Sequence, residues 1–337
     1  RMDMKGDFLI RIETKRIQYE FTIHRKFTVI QGDSGTGKTT LFNLVRGAHE
    51  KAPGVWVNCK ADCVPASAMG DDWKGYLQSH SNLIIFIDED YKWVRSNEFA
   101  ATSAKSDNYF VLINRDPLYG IPYSVREIYE IKTSGKFHTL APVYANQVFT
   151  CKPEYILTED RKSGFQFFQA ACAKNSDKCI SANGKSNIYK KLVSPPLLGH
   201  TVLVVADGAA FGPNIESVVG LKDYMDHKIR IFLPESFEHL LLGMPMFQKQ
   251  RRVQDVLRHT SMYVGSEFSS WERFFTWFLH DLTEGTPASY SKDSLSRCYI
   301  EECCCMSAPC KLLTHGGERK LDSILSRVEG VDFSNFR

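Results

Sequence analysis

Residues 27–45 read FTVIQGDSGTGKTTLFNLV, and this stretch decides the fold. FTVIQ (27–31) is a short run of β-branched and aromatic residues, the pattern of a buried strand. It passes directly into GDSGTGKT (32–39), after which Leu41, Leu44 and Val45 recur at helical spacing. Strand, glycine loop and helix in that order are what an anion site needs. Gly32, Gly35 and Gly37 let the backbone turn tightly enough for its N–H groups to wrap phosphates, and the helix N-terminus adds its dipole. The spacing Gly-x-x-x-x-Gly-Lys-Thr then sends Lys38 to the β- and γ-phosphates of a nucleotide and offers the Thr39 hydroxyl to Mg²⁺. The expected nucleotide-binding stretch is Gly32, Asp33, Ser34, Gly35, Thr36, Gly37, Lys38, Thr39 and Thr40.

Outward from the loop, the pattern is one of strands and helices in turn. FLIRIET (8–14) and RIQYEFTI (16–23) precede it as strands. GVWVNC (54–59), LIIFIDED (83–90) and YFVLINR (109–115) follow, the last two as unbroken apolar runs ending in polar groups. Runs without alternation fit strands covered on both faces, as in a parallel sheet. PYSVREIYEIK (122–132) has helical periodicity after its Pro-Tyr-Ser start, and HTLAPVYA (138–145) closes the first sheet. The pattern restarts near residue 150, with KPEYILTED, KCISAN and HTVLVVADGAAFG as strands and SGFQFFQAACAK and GKSNIYKKL as helices. From about 234 the chain reads as helical. Three regions are therefore expected: 1–150, 151–235, and a helical 236–337 that carries a cysteine cluster.

With these motifs the first region resembles the P-loop NTPases, within the branch that has an additional strand and a catalytic glutamate and includes AAA-type and RecA-like ATPases. That resemblance implies an α/β fold with a mainly parallel sheet, ATP and Mg²⁺ as ligands, and a Walker B strand, which LIIFIDED matches. Asp88 then falls at the Mg²⁺-organising position beside Thr39, and Glu89 at the position that orients the attacking water. Asn114 falls where the branch senses the γ-phosphate, and Arg115 where a cation would offset transition-state charge. The expected catalytic set is thus Lys38, Glu89, Asn114 and Arg115. Only 50 positions separate Lys38 from Asp88, and no LSGGQ-like segment or NKxD motif is present. Those features set aside a transporter-type ATPase and favour ATP over GTP.

In the second region, an acid after a first strand, a glycine turn and an acid after a third strand are similar to Toprim folds, whose carboxylates hold Mg²⁺ for phosphodiester chemistry. Glu159 or Asp160, Gly184 and Asp207 are the matching positions, and such modules are fused to ATPases in the overcoming-lysogenization-defect proteins. The usual Asp-x-Asp is here Asp207-Gly208-Ala209, so one carboxylate is missing. A two-metal reaction needs enough anionic ligands to neutralise its ions, and a module for binding or assembly fits the pattern better than an active nuclease.

Composition excludes whole classes. With 337 residues, 43% hydrophobic and 24% charged, the chain is neither disordered nor a disulfide mini-protein. Its net charge of +3, from 42 basic and 39 acidic residues, advertises no polyanion by bulk electrostatics, although Lys185, Lys190 and Lys191 leave room for DNA or RNA. No apolar run is long enough to span a bilayer, so a cytoplasmic protein without a membrane partner is expected. Cys298, Cys303, Cys304, Cys305 and Cys310, with His315, lack the paired Cys-x-x-Cys of a zinc site and read as free thiols. Trp271, Phe274, Phe275, Phe278 and Leu282 make one helical face, read as core, with homo-oligomer contact as the alternative. No histidine is assigned to chemistry.

The expected activity is Mg²⁺-dependent ATP hydrolysis coupled to the second module, in nucleic-acid handling or phage-related defence. A P-loop kinase for a small acceptor and a non-catalytic, nucleotide-gated scaffold are the alternatives.

Overall fold

The computed structural model describes residues 4–144, 151–172, 175–225, 228–300, 324–328 and 330–336. The chain divides into two compact units, 1–145 with 259–271 and 146–258 with 272–337.

The first unit is built on nine strands: β1 Phe8–Glu13, β2 Gln18–Ile23, β3 Phe27–Ile30, β4 Trp56–Asn58, β5 Asp62–Pro65, β6 Leu83–Ile87, β7 Tyr109–Ile113, β8 Ile128–Ser134 and β9 Phe137–Pro142. They form one sheet in the order β4-β1-β2-β9-β8-β3-β7-β6-β5. Helices α1 Lys38–His49, α2 Trp73–Ser79 and α3 Asn97–Lys105 belong to this unit. The strands of the β3, β7 and β6 block are the apolar runs of the sequence. Every residue of β3 and β7 is buried, as are Ile84, Ile85, Phe86 and Ile87 of β6. Full burial of each such side chain contributes about 1.5–3 kcal/mol.

The expectation of a P-loop core with a mainly parallel sheet is overturned. β1 pairs antiparallel with both β2 and β4, and β8 pairs antiparallel with β9 over six residues. Parallel register is kept at β2–β9, β8–β3, β3–β7, β7–β6 and β6–β5, so the sheet is mixed. The expected helix over 122–132 is part of the reason. Val125–Glu127 is a single 3₁₀ turn, and the residues after it form β8, which lies between β3 and β9. Ile128 and Ile131 satisfy a helical spacing equally well, but partner strands on both sides satisfy the backbone of this β-branched and aromatic run.

Segment 259–271 reaches the first unit through specific bonds. The buried Lys26 ammonium donates to the carbonyls of Ala104, Ser106 and Ser266, the last two at 2.6 Å. The Arg25 guanidinium lies 3.6 Å from the Trp271 ring centroid, and burial pushes the Lys26 pKa down to about 8.

The second unit contains four parallel strands, β10 Tyr155–Thr158, β11 Cys179–Ser181, β12 Val202–Val205 and β13 Ile229–Phe232, in the order β11-β10-β12-β13. Its helices are α4 Ser163–Ala171, α5 Ile188–Leu192, α6 Gly212–Tyr224, α7 Phe237–Leu242 and α8 Arg251–Arg258, together with most of α9 Trp271–Thr283. The C-terminal helices are therefore not a region apart. Phe237 of α7 packs its ring against Phe167 of α4, and the Phe274, Phe275 and Phe278 face of α9 is buried while Trp277 is exposed. Among the described residues no helix is long and apolar enough to cross a membrane.

Candidate functional site

The loop between β3 and α1 sits at the carboxyl end of β3, which is the end at which β7 and β6 also terminate. Gly32, Gly35 and Gly37 all take positive φ, of 129°, 82° and 97°. L side chains rarely adopt that region, so the three glycines are required by the backbone path. Gly37 is also the residue before α1, and its carbonyl accepts the first helical hydrogen bond, from Leu41. Among the described residues, the amides of Gly35, Thr36, Gly37, Lys38, Thr39 and Thr40 find no acceptor within the protein. A row of unsatisfied N–H groups at a helix N-terminus is an anion receptor.

Lys38 is only 6% exposed and curls over this loop. Its Nζ donates to the carbonyls of Gly32 and Asp33, the latter at 2.6 Å, and to Thr36 Oγ1 at 3.2 Å. Burial lowers its pKa, and the nearby Arg115 lowers it further, against the opposing charges of Glu89, Asp33 and Asp88. The fold thus brings together the lysine, both acids and the arginine singled out by the motifs. Asp33, Ser34, Thr39 and Thr40 are exposed around the loop.

Asp88 follows β6, is 7% exposed, and accepts a 2.6 Å hydrogen bond from the Glu89 amide. Burial raises its pKa, and neighbouring Asp90 and Glu89 add to the shift. Arg115 Nε stands 3.3 Å from Glu89 Oε2. Asn114 is 2% exposed and occupied on both sides: its Oδ1 accepts from Arg95 Nη2 at 3.2 Å and its Nδ2 donates to the Asp116 carbonyl at 2.7 Å. Arg95, which no motif pointed to, also pairs with the Asp116 carboxylate at 2.9 Å.

Among the described residues no three His, Cys, Asp or Glu side chains converge on a metal position. Mg²⁺ in nucleotide sites binds through one or two carboxylates and completes its shell with waters and substrate phosphates. Asp88, a buried carboxylate after β6, and Thr39, an exposed hydroxyl in the first turn of α1, are hard-oxygen donors of that kind.

The second unit holds a separate polar cluster at the carboxyl ends of β10 and β12. Glu159 follows β10, and its Oε2 accepts from the Asp207 amide at 3.3 Å; Asp207 in turn accepts from the Phe237 amide at 2.9 Å. Asp160 turns to its own loop and accepts from the Lys162 amide at 3.0 Å. Four residues missed in the sequence complete the cluster. Glu238 is fully buried, Tyr290 donates to its Oε1 at 2.6 Å, and Lys292 Nζ reaches Glu272 Oε1 at 2.5 Å. Burial, with the Glu272 charge next in size, pushes the Glu159 pKa up to about 7 and drives that of Asp207 well above its usual value. Glu159, Asp160, Asp207, Glu238 and Lys292 line a cavity of about 40 Å³, and Glu238 Oε2 has no hydrogen-bond partner among the described residues. Burial acts to lower the Lys292 pKa, but the charges of Glu272, Glu238 and Asp207 outweigh it and hold the ammonium above its usual value.

Glu238 sits 79 positions beyond Glu159 and Lys292 another 54 beyond that, so no local spacing could have linked them. Of the cysteine cluster, Cys298 is described and buried, its thiol donating to the Pro287 carbonyl at 3.1 Å; Cys303, Cys304, Cys305, Cys310 and His315 lie outside the described residues. Compared with known protein families, curated proteins and solved structures, the chain matches none of them.

Proposed function

We propose that the protein binds a nucleoside triphosphate, ATP in preference to GTP, and hydrolyses it with Mg²⁺. The observation that carries this reading is the row of unsatisfied amides from Gly35 to Thr40 beneath a buried lysine, facing the Glu89–Arg115 pair. The loop amides and Lys38 take the phosphates, and Lys38 exchanges its own loop carbonyls for phosphate oxygens. Thr39 and Asp88 would hold Mg²⁺, whose charge offsets that of the phosphate tail when bound. Glu89 orients the attacking water, and Arg115, released from Glu89, faces the charge that develops on the terminal phosphate. Arg95 keeps Asn114 in place at the end of β7. In the second unit, the clustered carboxylates with the unpartnered Glu238 Oε2 favour a binding module.

The test is phosphate release from ATP and GTP, with and without DNA, alongside calorimetric binding. Lys38→Ala is expected to weaken nucleotide binding, and Glu89→Gln to keep binding while stopping turnover. Normal hydrolysis by the Glu89→Gln protein would overturn the assignment of Glu89, and the absence of binding heat with either purine triphosphate would overturn the whole reading.

A further inference from the structure

An aromatic pair lies against the loop on the side away from the acids. Tyr19 of β2 and His138 of β9 are register partners, with ring centroids 4.4 Å apart and planes 17° from parallel. Tyr19 is 1% exposed and its Oη donates to the Gly37 carbonyl at 2.9 Å. His138 is half-buried, and its Nδ1 is within 2.8 Å of Thr133 Oγ1 across the β8–β9 hairpin. A methyl group on Gly37 would fall 2.7 Å from Tyr19 Oη and 4.0 Å from His138 Nδ1, so both rings reach the last glycine of the loop. Burial lowers the His138 pKa and so favours the neutral imidazole.

The strand order makes the two sides of the loop chemically unlike. On one side of β3, the neighbouring strands β7 and β6 deliver Asn114, Arg115, Asp88 and Glu89. On the other, β8 leads to β9 and β2, which deliver His138 and Tyr19. A triphosphate laid along residues 32–40, with its terminal phosphate toward Glu89 and Arg115, leaves its nucleoside end on the β9 side. Stacking on an aromatic face is worth enough to matter and is tolerant of base identity.

We infer that the imidazole of His138, backed by Tyr19, is the platform on which the base of the bound nucleoside triphosphate stacks, an inference that rests on loop 32–40 being the phosphate site. Tyr19 acts as a positioning residue, since it ties the platform to the Gly37 carbonyl and fixes the distance between base and phosphate sites.

The experiment compares calorimetric binding of ATP and of inorganic tripolyphosphate, each with Mg²⁺, to the full chain and to its His138→Ala, His138→Phe and Lys38→Ala variants. His138→Ala is expected to weaken ATP binding about tenfold and leave tripolyphosphate within about twofold of wild type, with His138→Phe restoring most of the ATP affinity. Unchanged tripolyphosphate binding also reports an intact loop in each of the two His138 variants. Equal ATP affinity in wild type and His138→Ala, or equal losses for both ligands, would overturn the platform while leaving the phosphate site standing. Tripolyphosphate that does not bind, or binds equally well to Lys38→Ala, would overturn the phosphate site and this inference with it.

Discussion

Arg115 Nε and Glu89 Oε2 stand 3.3 Å apart at the carboxyl ends of adjacent parallel strands, so the group expected to orient water is paired with the group expected to meet developing charge. The pair is half exposed, with side-chain exposures of 50% and 32%, and such pairs contribute little to stability. It can therefore open when an anion competes for the guanidinium.

This gives the first prediction. Arg115→Ala is expected to leave thermal stability nearly unchanged and to lower the rate of phosphate release about a hundredfold, the usual size for loss of one transition-state donor. Binding of ATP should change far less than turnover. A variant that hydrolyses at the wild-type rate would remove Arg115 from the chemistry.

The second concerns the loop glycines. Gly37 and Gly35 both have positive φ, but a Cβ at Gly37 meets Tyr19 Oη at 2.7 Å whereas one at Gly35 meets nothing within 4 Å. Backbone strain of about 1–2 kcal/mol applies to alanine at either place, and only Gly37→Ala also displaces a buried ring. Gly37→Ala should thus lower the melting temperature and the tripolyphosphate affinity more than Gly35→Ala does. The reverse order in melting experiments would show that Tyr19 does not pack as described.

The third is a pH dependence in the second unit. The Glu159 carboxyl is raised to about 7, chiefly by burial and then by Glu272. Between the unfolded value of 4.5 and about 7 the folded state holds a proton that the unfolded chain releases. Stability contributed by protonated Glu159 is full below that window and is lost as pH rises through it. The urea midpoint should fall from about pH 5 to about pH 7.5, and the fall should be shallower in Glu159→Gln, with Asp207, shifted in the same direction, accounting for what remains. Identical slopes for the two proteins would show that Glu159 titrates as an ordinary surface acid.

Much of the first site was legible because its determinants are local. The three glycines, Lys38 and Thr39 lie within eight residues, and their geometry follows from the allowed φ of glycine and from the polarity of a helix end. Asp88, Glu89, Asn114 and Arg115 were legible for a related reason, since polar residues that close a fully apolar strand must emerge at the sheet edge. Residues 122–132 show where local reading failed. Ile128 and Ile131 fit two periods, and the partner strands chose between them.

By itself, then, the sequence determined the glycine loop ahead of α1, the apolar strands and the acids at their ends, because each is a property of a few consecutive residues. Tertiary structure alone decided that β8 enters between β9 and β3 to make the sheet mixed, that Tyr19 and His138 meet Gly37, and that Glu238, Tyr290 and Lys292 gather around Glu159 and Asp207. Those arrangements join residues tens to more than a hundred positions apart. Strand pairing and the burial of charge select them, and both depend on what the distant chain supplies rather than on any spacing within it.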